Sequence, residues 1–423
     1  MEKIVLRKEI LGRIDEIKGA DIIVGIPSYN NARTIGHVVK AVQAGLAKYF
    51  PDRKSVLVNS DGGSTDGTMD VFHQANVEDF QSILLHHRVG SFFKIATPYY
   101  GIPGKGSAFR TIFELSDALD VKACAVVDSD LRSITPEWIE LLIKPIIEGG
   151  FDYVAPLYHR HKYDGTITNS IIYPLTRALY GKCVRQPIGG DFGFSGRIAK
   201  FYLTKDVWET DVARYGIDIW MTTTAIVNKF SVCQSFLGAK IHDTKDPGAD
   251  LSAMLYQVVG ATFDLMEEYS DVWKGVRKTE PVPVYGFQYT VGLEPVSVNI
   301  DRMIDKFRLG VRELGEIWKE FLSKEIVDFL YTAERLPKDE FTFPDEMWTE
   351  IIYSFAITSH KKVISREHLL KSLTPLYIGR TASFVKETRD SDAIEVEGKI
   401  ERLCGVFEER KTFLIKKWNN ERG

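Results

Sequence analysis

The stretch Ala123–Trp138 reads ACAVVDSDLRSITPEW. Five apolar or thiol residues are followed by two carboxylates, Asp128 and Asp130, one residue apart. A short apolar run bounded by polar residues suits a strand buried on both faces. Neighbouring carboxylates repel each other unless something positive sits beside them. The rest of the chain must either supply that positive group or bind it.

Working outward, DIIVGIPSYN (residues 21–30) reads as a buried strand ending at Pro27, and TIGHVVKAVQAGLAKYF as a helix with Thr34 at its cap. KSVLVNSDGGSTDGT is a second strand running into a glycine-rich turn, with a helix from Thr68. ACAVVDSD is the third strand. TPEWIELLIKPIIEGG is a helix with proline in its first turn and glycine past its end. FDYVAPLY is a further strand. Strands alternating with helices imply a mostly parallel sheet covered on both faces. Such sheets bind ligands beyond the carboxyl ends of their strands, where Tyr29, Asn30, Asp61, Asp128 and Asp130 all fall. From Met303 the apolar residues Phe307, Val311, Leu314, Trp318 and Phe321 follow helical spacing. The chain therefore reads as an α/β catalytic domain over residues 1–290 and a helical C-terminal region over 291–423.

Composition narrows the function classes. With 423 residues, two lobes are expected. A formal net charge of -4 argues against a dedicated nucleic-acid binder. No apolar run approaches the roughly 20 residues that span a bilayer, and the charged N-terminus lacks a secretory apolar core. Cys124, Cys183, Cys233 and Cys404 form no CxxC pair. A cytoplasmic protein is expected.

A pair of carboxylates, three unusual loops, a helix-start acid and a histidine carry the chemistry. Asp128 and Asp130 project to the same side of their strand; they read either as solvated and capping acids or as ligands of a divalent cation shared with phosphate oxygens. The Asn59–Thr68 turn is either a connector or a nucleoside pocket in which Asp61 accepts hydrogen bonds and the glycines permit close approach. In GIPGKGSAFRTIFEL, Lys105 lies between glycines just before a helix, a place suited to meeting a diphosphate, though the spacing fits neither a P-loop nor a dinucleotide fingerprint. QPIGGDFGFSGR adds Asp191 among four glycines. YGIDIWMTTTAI places Asp218 at a helix start, and His242 follows the apparent strand FLGAKI as a possible metal ligand.

Taken together, IPSYN, SDGGSTDGT, GKG, VVDSDL, RQPIGGDFG, YGIDI and His242 resemble, in order and across residues 20 to 250, the GT-A glycosyltransferases. The narrower resemblance is to the glucosyl-3-phosphoglycerate synthases and their mannosylglycerate synthase relatives. It implies a GT-A type α/β fold with a helical C-terminal extension. The implied reaction is retaining transfer of a sugar from UDP-glucose, GDP-glucose or GDP-mannose to glycerate or phosphoglycerate, a small hydroxy-acid acceptor. By position, Asp130 and His242 would hold Mg2+ or Mn2+, and Asp128 would lie near the ribose. Pro27, Tyr29, Asn30, Asp61, Gly62 and Ser129 would shape the nucleotide pocket, and Lys105 would contact the diphosphate. Asp218 would bind sugar hydroxyls, with Ile188, Gly189, Gly190 and Asp191 walling the sugar. Gly165, Thr166 and Thr168, with Gly190, would meet the acceptor. The resemblance also implies a homo-oligomer. A covalent route through Asp191 or Asp218 stays open beside front-face attack.

Two departures stand out. Asn31 replaces the family's usual glutamate. Thr166 stands where the phosphoglycerate enzymes resemble G-R-V-T, so a bidentate phosphate partner is missing. This favours glycerate as acceptor unless Arg160, Lys162 or Arg185 supplies the charge. The rival readings are an inverting family-2 transferase using a lipid-phosphate or polysaccharide acceptor, a nucleotidyltransferase, and a binding module without turnover.

Overall fold

A computed structural model describes residues 8–75, 93–99, 101–242, 251–289 and 292–420. Its strands are β1 (Ile22–Ser28), β2 (Ser55–Asp61), β3 (Phe93–Pro98), β4 (Ala123–Val126), β5 (Tyr153–His159), β6 (Lys182–Cys183), β7 (Phe192–Ser195), β8 (Val232–Ala239), β9 (Glu280–Pro281) and β10 (Val284–Tyr285). Among the described residues, eight of these form one sheet in the order β10-β8-β5-β7-β4-β1-β2-β3, and β6 pairs separately with β9. Within the large sheet β7 runs antiparallel to β4 and β5, and the other pairings are parallel. The mostly parallel, helix-flanked architecture read from the sequence is borne out.

Every residue of β1, β2 and β4 is buried, as unbroken apolar runs require in strands covered on both faces. The helices Ile35–Tyr49 and Pro136–Ile147 share one core with Ile22, Val24, Ile26, Leu57 and Ala125. Pro136 occupies the first helical turn, as expected. Thr34 sits at the N-cap without capping; its hydroxyl donates to the Ser129 carbonyl at 2.8 Å instead. That bond ties the loop after β1 to the loop after β4. β1 lies between β2 and β4, so the loops after β1 and β4 lie side by side at the carboxyl edge of the sheet, where open parallel sheets bind their ligands.

The chain divides into two compact units: Met1–Arg160, Val184–Asp243 and Val282–Leu293 form the first, and His161–Cys183, Thr244–Pro281 and Glu294–Gly423 the second. This corrects the single boundary expected at residue 290. Side chains reaching far along the sequence explain the difference. Within the second unit, Trp348 Nε1 donates to the Ser170 carbonyl at 2.7 Å, and Arg177 Nε to Glu408 at 2.8 Å. The helices Ile300–Lys319, Lys324–Arg335, Asp345–Lys361, Arg366–Glu387 and Ala393–Asn419 make up most of this unit. Met303, Phe307, Val311 and Trp318 form the buried stripe of the first of them, whereas Leu314 is only half-buried. Asn299, Ser323, Ser365 and Asp392 each accept a backbone N–H at a helix start.

In the first unit, the helix Lys105–Ala118 begins against the segment 212–214 with almost no space between the two backbones. A Cβ on Gly106 would lie 1.8 Å from the Val212 carbonyl oxygen. Gly106→Ala is expected to lower the unfolding free energy by about 1–3 kcal/mol, read by urea denaturation. A loss below about 0.5 kcal/mol, the ordinary surface range, would mean that the segment yields freely.

Candidate functional site

β1 and β2 end side by side at Ser28 and Asp61. Asp61 is buried, and both its oxygens build the turn that follows. Oδ1 accepts from Ser28 Oγ (3.0 Å) and Ser64 Oγ (2.6 Å), and Oδ2 accepts from the N–H groups of Gly63 and Ser64 at 2.8 Å each. With two bonds on each oxygen its lone pairs are in use. The expectation of a direct Asp61 contact to base or ribose is therefore corrected: the residue shapes the pocket wall from behind. Asn30, in left-handed backbone (φ 53°), donates its N–H to Ser64 Oγ (2.8 Å) and accepts the Thr65 N–H on Oδ1 (3.0 Å). Asn31 Oδ1 accepts from the Tyr29 N–H (3.0 Å) and from Ser129 Oγ (2.8 Å). Three loops are thus stitched into one rim at the ends of Pro27 and Gly62, with Tyr29 standing 63% exposed upon it.

Beside this rim lies a buried ionic network. Lys105 Nζ is 2.9 Å from Asp128 Oδ1 and 3.4 Å from Asp218 Oδ2, and it also donates to the Gly190 carbonyl at 3.4 Å. Lys240 Nζ, on a side chain 4% exposed, is 2.7 Å from Asp128 Oδ2 and 2.8 Å from both Asp191 Oδ2 and the Gly189 carbonyl. Gly190 is left-handed (φ 91°), and a Cβ there would fall 2.3 Å from Asp128 Oδ2; only glycine lets the loop approach this closely. Burial alone would raise the Asp128 carboxyl, but Lys105 and Lys240 hold it well below the usual carboxylate range. For both lysines burial pulls the ammonium down, and the facing carboxylates more than offset it, so both stay charged.

Asp191 is fully buried behind Asp128. Its Oδ1 accepts the Asp128 N–H (2.8 Å), and its Oδ2 accepts from Lys240 and the Tyr158 hydroxyl. Neither oxygen is left for a substrate, so the covalent role considered for Asp191 is corrected to that of a brace. Asp218 differs. It opens the helix Ile217–Val227, is 7% exposed, and its Oδ1 has no hydrogen-bond partner. Burial raises its carboxyl above the ordinary value, with Lys105 opposing. A buried acceptor without a donor costs free energy, and a ligand hydroxyl would satisfy it. Ile188 is half-buried in the loop, whose Pro187 carbonyl accepts from Thr222 Oγ1 at 2.8 Å, on the same helix as Asp218.

Neither ammonium is bonded to Asp130. Burial and the Asp128 charge raise its carboxyl, while Lys240 and His242 act the other way. The backbone explains the approach of His242: Arg132 N–H donates to the Ile241 carbonyl (2.9 Å), and Ile241 N–H to Ser133 Oγ (2.9 Å). Residues just after Asp130 are therefore laced to residues just before His242. Among the described residues no group of three or more His, Cys, Asp or Glu gathers as a metal cage. One carboxylate and one imidazole would instead fit a divalent cation that takes its remaining oxygens from phosphate and water. Built-in lysines thus neutralise Asp128, and Asp130 is paired with neither of them.

Lys240 is the functional residue that the sequence reading missed. Its signal was present, because two residues before His242, just past a strand, places both on one side. In the second unit, Gly165 is left-handed, and Thr166 and Thr168 are both 3% exposed. The Thr166 hydroxyl pairs with that of Tyr377. Its side chain is therefore packed inside that unit, which corrects the expected contact of this hydroxyl with an acceptor. Lys162 is likewise engaged, donating to the carbonyls of Thr388 (2.6 Å), Arg389 (2.8 Å) and Ser391 (3.1 Å). Among the described residues no helix is long and apolar enough to cross a membrane.

No family model matches the chain. A curated relative, the glucosyl-3-phosphoglycerate synthase of Petrotoga mobilis, is 24% identical over 280 residues, covering 62% of this chain and 78% of the relative. Crystal structures of glucosyl-3-phosphoglycerate synthase from Mycobacterium tuberculosis also align. The complex with Mg2+ and UDP has 22% identity over 60% of this chain and 83% of its own, with a TM-score of 0.42. The complex with Mn2+, UDP-glucose and phosphoglyceric acid has 21% identity over the same shares, with a TM-score of 0.43. The chain is thus similar to a glucosyl-3-phosphoglycerate synthase.

Lys240→Met removes the cation shared by the buried Asp191 and the partly exposed Asp128. It is expected to cost about 3–5 kcal/mol of stability, the range for breaking one side of a buried pair, measured by urea unfolding. A cost below about 1 kcal/mol, the level of an exposed pair, would show that the network is not held by Lys240.

Proposed function

We propose that this chain is a metal-dependent hexosyltransferase that moves glucose from UDP-glucose to 3-phosphoglycerate or glycerate. The observation that carries the reading is Lys105, held between Asp128 and Asp218 with one Asp218 oxygen unpartnered. One charged donor and one free acceptor at a shared point suit a substrate carrying a diphosphate and a sugar. The likeness to the Petrotoga mobilis glucosyl-3-phosphoglycerate synthase supports a glucosyl group and a phosphoglycerate acceptor. All four cysteines are free, which supports a reducing, cytoplasmic setting.

In this reading the anomeric C–O bond breaks, and negative charge develops on the leaving diphosphate. Lys105 Nζ donates to that oxygen anion by exchanging one of its two 3.4 Å contacts, to Asp218 or to the Gly190 carbonyl, and so stabilises the developing charge. Asp130 and His242 would hold Mg2+ or Mn2+, which when bound supplies further neutralisation of the diphosphate. Asp218 Oδ1 accepts a sugar hydroxyl and orients the ring. The side chain of Asp191 has no oxygen left to attack, and the free Asp218 Oδ1 is taken here by a sugar hydroxyl, so the reading adopts front-face attack, with the leaving phosphate taking the acceptor's proton. Because the side chain at position 166 is packed internally, its lack of an arginine carries less weight against a phosphorylated acceptor than the sequence suggested. Arg160, whose Nη2 donates to the Gly189 carbonyl at 3.3 Å, offers a guanidinium on the sugar-side loop. GDP-glucose, GDP-mannose and glycerate are the variants to be compared.

Purified protein with Mg2+, UDP-glucose and 3-phosphoglycerate is expected to form a glucosylated product, and EDTA to abolish it. Asp130→Asn and His242→Ala are each expected to cut kcat by about a hundredfold or more, the scale of a lost electrostatic stabiliser, with melting temperatures near that of the parent protein. Failure to transfer to either three-carbon acid, or near-normal turnover in both variants, would contradict the proposal.

A further inference from the structure

Tyr99 follows β3 and belongs to no motif, yet it touches both halves of the site. Its backbone N–H donates to the Asp61 carbonyl at 3.2 Å, so it rides on the turn that shapes the nucleoside side. Its phenol is raised above the ordinary value by burial first, and then by the charges of Asp61 and Tyr29; it stays neutral and able to accept. Its Oη accepts the N–H of Gly104 at 2.9 Å.

Gly104 is the N-cap of the helix that starts at Lys105, and it makes no side-chain cap bond of its own. Helix starts leave N–H groups that need an acceptor, and here the acceptor comes from a residue attached to the opposite wall. The helix start has little freedom on its other side, since a Cβ on Gly104 would lie 2.5 Å from the Ala213 carbonyl oxygen. The Gly106 N–H is also bonded to the Arg214 carbonyl at 3.2 Å. Movement of the nucleoside wall is therefore passed through one hydrogen bond to the residue next to Lys105.

From this geometry we infer that Tyr99 is a positioning residue that couples occupation of the nucleoside pocket by a uridine diphosphate to the placement of Lys105. The inference rests on the function proposed above. Tyr99→Phe keeps the ring and removes the acceptor. It is expected to lower kcat about tenfold, the worth of one lost hydrogen bond in the transition state, while the dissociation constant of uridine, which lacks the diphosphate that Lys105 meets, stays within about twofold by calorimetry. In a Lys105→Arg background, where the bond's beneficiary is already altered, the same change is expected to cost less than about twofold, because coupled residues are not additive. Tyr99→Ala, which also removes the ring, is expected to weaken UDP binding as well as turnover.

An unchanged kcat in Tyr99→Phe would overturn the inference. So would a full tenfold loss in the Lys105→Arg background, or a parallel loss of kcat and uridine affinity in Tyr99→Phe. If the parent protein itself bound no UDP, the reading of the site would fail and this inference with it. If the parent binds UDP and turns over, failure of the kcat-against-affinity split counts against Tyr99 alone.

Discussion

The contact on which the site depends is the buried ammonium of Lys240 between the carboxylates of Asp128 and Asp191. Taking three charges out of water is costly, and only short, well-bonded geometry offsets it. Here the arrangement is closed on every side. The Gly189 carbonyl takes a third lysine bond, the Asp128 N–H fills the other Asp191 oxygen, and the Tyr158 hydroxyl completes it. The strand end after β4 is thereby fixed to the glycine-rich loop before β7 and to the residues after β8. Remove the ammonium and the buried Asp191 loses its positive partner, while Asp128 keeps only Lys105.

Fixing Asp128 in this way determines what its neighbours can do. Lys105 reaches it from the opposite side and meets Asp218 in the same place. Four aspartates, Asp128, Asp130, Asp191 and Asp218, face two lysines, so the cluster carries excess negative charge. That excess is concentrated on the groups whose carboxyls are raised, Asp130 and Asp218. A divalent cation beside Asp130 and a hydroxyl on Asp218 are the partners that such groups favour. The topology makes the meeting possible, because the parallel strands β1, β4, β5 and β8 end on one edge, and antiparallel β7 begins there.

Much of this was legible in the sequence because it depends on short-range patterns. The buried strands, Pro136 at a helix start, the glycines around Lys105 and the paired acids each follow from local rules. Lys240 was not picked out because one lysine at a strand end looks like any solvated lysine until three distant segments close on it. The second unit was misdrawn for a related reason. The segments 161–183 and 244–281 join the C-terminal helices through contacts such as Trp348 to Ser170, whose partners are 178 residues apart. Asp61 and Asp191 show the converse: both lie where a ligand-binding acid was expected, and the surrounding donors use every oxygen. Residue type and position were readable, but saturation of hydrogen bonding was not.

The central claim is that Asp130, left unpaired by both lysines, holds a divalent cation that receives the donor diphosphate. Calorimetric titration of UDP onto the parent protein and onto Asp130→Asn, each with Mg2+ and with EDTA, tests it most directly. The account predicts that EDTA weakens UDP binding to the parent protein by about tenfold or more, as expected for loss of a charge-neutralising ion. It also predicts that Asp130→Asn binds equally weakly in both conditions. An Asp130→Asn variant that kept the full Mg2+ dependence would contradict it.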